Sequence, residues 1–151
     1  MSNATARKFG YPDTLIAEYG PWLLLLRPKQ PTLGAMVLVC TEDATAFGEL
    51  SAAAFATLRD AARGAEGLLK AFVGYERINY LMLMMVDPDV HYHVLPRYAG
   101  VRAFGGAVYA DLGWPGPPAL DAAVEPDAEA RAALIAELRR LARHAEATSA
   151  S

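Results

Sequence analysis

Asp89-Val90-His91-Tyr92-His93-Val94-Leu95-Pro96-Arg97 alternates between two kinds of side chain. A period of two predicts a strand, here over residues 90–98. Val90, Tyr92 and Val94 fall on one face, and Asp89, His91, His93 and Leu95 on the other. The first face is apolar and is expected to be buried. The second is expected to point to solvent or into a cleft, with same-face neighbours ~6.5–7 Å apart. Residues 77–85, bulky and mostly apolar, predict the preceding strand. Asp87-Pro88-Asp89 supplies turn chemistry between the two, so they are expected to pair antiparallel.

Working outward, Trp22–Leu26 and residues 33–40 are apolar runs separated by Arg27-Pro28-Lys29-Gln30-Pro31. The two prolines exclude a continuous helix and predict a second hairpin. Ser51 can cap a helix over 51–73. Its apolar stripe is expected at Phe55, Leu58, Ala62, Ala65, Leu69 and Phe72, with Gly74 as its stop. Gly64 and Gly67 weaken that helix or mark close packing against a sheet. Residues 99–125 are rich in Gly, Pro and Ala and read as an ordered loop around Trp114, with Gly105-Gly106 as a turn. Pro126 is expected in the first turn of a last helix, with its apolar stripe at Ala130, Leu134, Leu138, Leu141 and Ala145.

The chain has 151 residues, 54% hydrophobic and 21% charged. That length and composition fit one folded domain and exclude a mainly disordered chain. The expected organisation is a flexible end at 1–10, a domain over 11–125 and a helix over 126–147 packed on that same domain. The net charge of −3 argues against binding a nucleic acid polymer or an anionic membrane surface. No apolar run approaches the ~20 residues of a membrane helix. Residues 1–10 contain no secretory apolar region, so the expected location is the cytoplasm. Cys40 is alone and lies in an apolar run, which predicts a buried thiol and no internal disulfide.

His91 and His93 lie two residues apart, with Asp89 on the same face. Three readings follow from the residues. The first is a solvated face with two incidental histidines. The second is a metal site of two histidines and a carboxylate. The third is nucleophilic or acid–base chemistry, in which a neutral imidazole attacks and a carboxylate fixes its tautomer.

His91-Tyr92-His93-Val94-Leu95-Pro96-Arg97 resembles the end of the histidine triad motif, His-φ-His-φ-His-φ-φ followed by Pro-Arg. The hairpin, the helix and the strand Ile78-Asn79-Tyr80-Leu81-Met82-Leu83-Met84-Met85-Val86 precede it in that family's order, so the resemblance covers roughly residues 20–100. It implies an α+β fold with an antiparallel sheet of about five strands packed with two main helices, and a homodimer. It also implies a nucleotide phosphohydrolase or nucleotidyl transferase acting at an α-phosphate. On these positions His91 is the expected nucleophile, and His93 the expected hydrogen-bonding partner of the phosphate. Asp89, standing where the family has its first histidine, would orient His91. Arg97, Arg27, Asn79 and Trp114 are the candidate substrate contacts. No cofactor is required, although a divalent cation could accompany a polyphosphate substrate. The alternatives are a non-catalytic nucleotide-binding homodimer and a His/Asp metal-binding protein. Two family features differ here: Ala35 follows Gly34 where the family often has His, and Met84-Met85-Val86-Asp87-Pro88 replaces a longer Gly-Gln loop.

Overall fold

A computed structural model describes residues 3–150 of the chain, with side chains as far as Glu146. It is an α+β structure. Five antiparallel strands form the main sheet: β1 (Leu15–Tyr19), β2 (Trp22–Leu26), β3 (Met36–Cys40), β4 (Arg77–Leu81) and β5 (His91–Arg97). Their spatial order is β1-β2-β3-β5-β4. The helix between β3 and β4, which we call α2, spans Ala52–Val73, and a last helix, α3, spans Ala128–Ala150.

The expected hairpin forms, with Trp22 opposite Cys40 and Leu26 opposite Met36. Every residue of β2 and β3 is buried, because both faces of the sheet centre are covered. On one face Trp22, Leu24, Leu26, Met36, Leu38, Cys40 and Val94 pack with α2 and α3 into the main core. The Trp22 indole N–H donates to Ala54 O at 2.8 Å and ties the sheet to the first turn of α2. On the other face lie Leu23, Leu25, Val37 and Val39. Cys40 is buried and unpaired, and burial raises its thiol pKa.

Ser51 caps α2 by accepting from Ala54 N, and Gly74 ends it in the left-handed conformation, φ 56°. The buried stripe of α2 is Ala54, Ala61, Ala65, Leu68, Leu69 and Val73, offset from the expected one. Phe55 is exposed and stacks edge-on against Phe47 instead. Asp127, not a residue inside the helix, caps α3 by accepting from Ala130 N. Pro126 therefore precedes the cap. Among the described side chains of α3, Leu134, Ile135, Leu138 and Ala142 are buried.

Three expectations need correction. The sequence reading extends the strand before the histidines to residue 85, yet β4 stops at Leu81, opposite His93. Beyond that point β5 pairs only with β3, so residues 82–89 leave the sheet and expose Leu83, Met85 and Val86. The connection is thus longer than the tight turn expected. Residues 99–125 contain a second sheet, β6 (Val101–Phe104) and β7 (Ala107–Ala110), turned by Gly105-Gly106 at φ 60° and 81°. Finally, residues 3–10 are not a loose end. They form a short helix, α1 (Ala4–Lys8), capped by Asn3 Oδ1 accepting from Ala6 N at 2.8 Å, with Thr5 and Ala6 buried. Residues 1–2 lie outside the described residues.

Tyr98, fully buried at the end of β5, accepts from Leu33 N at 2.9 Å and donates to Tyr109 O at 3.1 Å.

Candidate functional site

Pairing places the histidines in the second layer of the sheet. His91 lies opposite Val39 and His93 opposite Val37, and those residues lie opposite Leu23 and Leu25. The imidazoles therefore share one face, as their spacing requires. Their ring centroids are 5.3 Å apart and nearly perpendicular. That face is not open. His91 is 2% and His93 8% exposed, contrary to the expectation of a solvated or cleft-facing row.

The cover is the chain's own N-terminal segment. Phe9 puts its ring 6.2 Å from His91 and 5.8 Å from His93. Asp89 and Thr5 bond reciprocally: the Thr5 amide donates to Asp89 Oδ2, and the Asp89 amide donates to Thr5 Oγ1. Lys8 pairs with Asp87 at 2.7 Å, and Asn3 Nδ2 donates to Cys40 O at 2.8 Å. Sequence reasoning missed Thr5, Lys8 and Phe9, since a five-residue helix is too short to display a hydrophobic period. Phe9 and Tyr11 on either side of Gly10 were the available signal.

The carboxylate of Asp89 does not orient His91. Its side chain is turned to α1, and the main-chain carbonyl of Asp89 meets His91 Nδ1 at 2.7 Å instead. A carbonyl can only accept, so Nδ1 carries the proton and the neutral ring keeps its lone pair on Nε2. That is the tautomer a nucleophile needs. His93 Nδ1 is buried with no hydrogen-bond partner. Burial first, then the Arg27 guanidinium and electrostatic coupling to the neighbouring imidazole, push the His93 pKa down to about 4, with Lys8 adding to the effect and Asp87 opposing it. His93 is thus an uncharged imidazole at neutral pH.

Arg27 follows β2 on the face that carries Leu23 and Leu25. Its Nη1 donates to Lys29 O at 2.6 Å, while its buried Nε has no partner. Arg97, an expected substrate contact, has its donors engaged within the protein. It is 3% exposed and its fork is occupied: Nε and Nη2 meet the two oxygens of Asp111 at 2.7 and 3.0 Å, Nη1 donates to Asn79 Oδ1, and Nη2 also donates to Gly116 O. A buried guanidinium has to be paired, and Asp111, which the sequence does not mark, provides the pair. Asn79 is correspondingly held by Arg97. Trp114 is half-buried in the loop that Arg97 anchors through Gly116, away from the His91–Asp89 contact along β5. The described cavities lie elsewhere; one of about 530 Å³ between α2 and α3 is lined by Tyr19, Asp60, Arg63, Gly64, Gly67 and Glu146. Among the described residues no three His, Cys, Asp or Glu side chains are grouped to hold a metal ion, so the expected His/Asp ligand set does not assemble.

No family model and no curated protein matches the sequence. Solved structures do. A histidine triad protein from Sinorhizobium meliloti matches with a TM-score of 0.71 at 22% identity, over 93% of this chain and 95% of that one. A histidine triad protein from Bradyrhizobium japonicum gives 0.70 at 20% identity, over 93% and 96%. A histidine triad nucleotide-binding protein, described as hypothetical, from Sulfolobus tokodaii gives 0.65 at 15% identity, over 87% and 84%. This chain thus shares the fold of the histidine triad proteins it matches.

Proposed function

We propose that this chain binds a nucleoside phosphate on the histidine face of β5 and carries out nucleotidyl transfer or hydrolysis at its α-phosphate. The observation that carries the reading is the bond from His91 Nδ1 to the Asp89 carbonyl, 2.7 Å, which leaves the Nε2 lone pair for attack beside a second imidazole. In the proposed step Nε2 forms a bond to phosphorus. The bond to the leaving group breaks, and that group departs with the electron pair and takes a proton from water. A second water then attacks phosphorus and gives its proton to the hydroxide left by the first, and the electron pair of the P–N bond returns to Nε2. His93, uncharged, would hydrogen-bond phosphate oxygens, and the unpartnered Nε of Arg27 would add charge-assisted binding. The main-chain carbonyl of Asp89 takes the orienting role. The reading needs no resident cofactor, and a divalent cation could accompany a polyphosphate. A homodimer in the cytoplasm goes with it. Among the described residues no helix is long and apolar enough to cross a membrane.

Incubation with nucleoside polyphosphates and phosphoramidates tests this. The expected result is turnover with an acid-labile nucleotidyl adduct on His91, and loss of at least about a thousandfold in rate in His91→Ala. A folded protein that turns over none of them ends the catalytic reading. The burial of both histidines favours a second reading, a non-catalytic nucleotide-binding protein. It predicts no turnover but a melting temperature raised by AMP.

A further inference from the structure

We propose that residues 3–10 are a displaceable lid, and that the histidine face opens only when this segment swings away. The inference takes from the proposed function only the place where ligand binds. Phe9 and Ala6 are the apolar part of the cover, and Phe9 lies against both imidazoles. Polar attachments hold it too: Thr14 Oγ1 donates to Phe9 O at 2.7 Å, Asn3 meets Cys40 O, Thr5 meets Asp89 in both directions, and Lys8 pairs with Asp87. The last is an exposed pair, which holds weakly in water. A helix of one turn has little stability of its own once detached.

The closed state is also polar-deficient. His93 Nδ1 and Arg27 Nε are buried without partners on the face that α1 and Phe9 cover. Unmade hydrogen bonds of this kind destabilise the closed form relative to one in which an acceptor-rich anion or water reaches them. A phosphate-bearing ligand therefore gains contacts in the open form that it cannot make in the closed one. This difference in affinity is what lets a ligand shift such an equilibrium. Asp89 and Asp87, which hold the lid, belong to the connection that leads into the histidine strand. Opening is thus linked mechanically to the segment that carries the His91-orienting carbonyl.

The test is carbethoxylation by diethyl pyrocarbonate on the full chain, read by peptide mass mapping, with the exposed His144 as internal reference. In the intact protein His91 and His93 should react at least about tenfold more slowly than His144, as their burial requires. Lys8→Asp places like charges together and should speed their reaction by up to about fivefold, and the exchanged pair Lys8→Asp with Asp87→Lys should restore the slow rate. Phe9→Ala should speed it by about tenfold. AMP is added in a separate arm. If it protects the histidines of the Phe9→Ala protein, nucleotide reaches the uncovered face. If it does not, while the lid variants still react faster, the nucleotide reading fails and the lid stands. The lid is overturned if His91 and His93 react as fast as His144 in the intact chain, or if folded Phe9→Ala and Lys8→Asp proteins react at the unaltered rate.

Discussion

Two basic side chains on β5 meet burial in opposite ways. Arg97 is neutralised by a carboxylate that grips it at two points, and the pair then fastens the loop at Gly116. His93 has no such partner and instead gives up its proton. The sign of the resulting pH dependence follows directly. The folded pKa is about 4, below the ordinary imidazole value of ~6.5, so between these limits the unfolded chain binds more protons than the folded one. Stability is full above ~6.5, falls as pH drops toward 4, and is lost no further below that. The slope attributable to His93 should reach at most about 1.4 kcal/mol per pH unit. Urea unfolding of the native chain and of His93→Gln between pH 7 and 4 checks this. The native chain should lose more stability than the variant, and parallel curves would remove His93 from the account.

At the level of the elements, the two glycines inside α2 separate cleanly. A Cβ on Gly64 would run into the hydroxyl and ring of Tyr19 on β1, whereas one on Gly67 would meet nothing within 4 Å. Gly67→Ala should therefore stabilise by about 0.4–1 kcal/mol, through lower chain entropy and better helix propensity. Gly64→Ala should lose that gain to overpacking and fall at least about 1 kcal/mol below it. Thermal or urea unfolding of both variants decides, and equal effects would show that Tyr19 moves aside freely. The sequence suggested close packing here without saying which glycine needed it, since only the position of Tyr19 distinguishes them. Other elements were legible in proportion to how local their causes are. Ser51, Gly74 and the alternation of β5 act within a few residues and appear as expected. β6 and β7 had a local signal too, β-prone runs on either side of Gly105-Gly106, but only the turn was read from it. The burial of the histidine face was not legible. It depends on contacts between residues 5 and 89 and between 9 and 93, which no period within either segment encodes.

For the molecule as a whole, the sheet ends at β4, and the residues that leave it expose Leu83, Met85 and Val86, Met85 at 85% and Val86 at 81%. An unpaired strand edge beside exposed apolar side chains suits association with a second copy. The homodimer we propose should therefore sediment at twice the 16.2 kDa chain mass. Met85→Asp with Val86→Asp should shift it toward the monomer while leaving the fold intact, because neither side chain enters the core. Sedimentation of the native chain as a monomer at micromolar concentration would remove the dimer.

The hydroxyl of Tyr98 reaches in two directions, to the amide before β3 and to the carbonyl of β7. The first lies in the connection that leads into the large sheet and the second in the small one, and the two sheets share no ladder. One oxygen atom thus links the small hairpin to the body of the protein, and the hairpin cannot peel away without leaving the buried Tyr98 O–H with no acceptor.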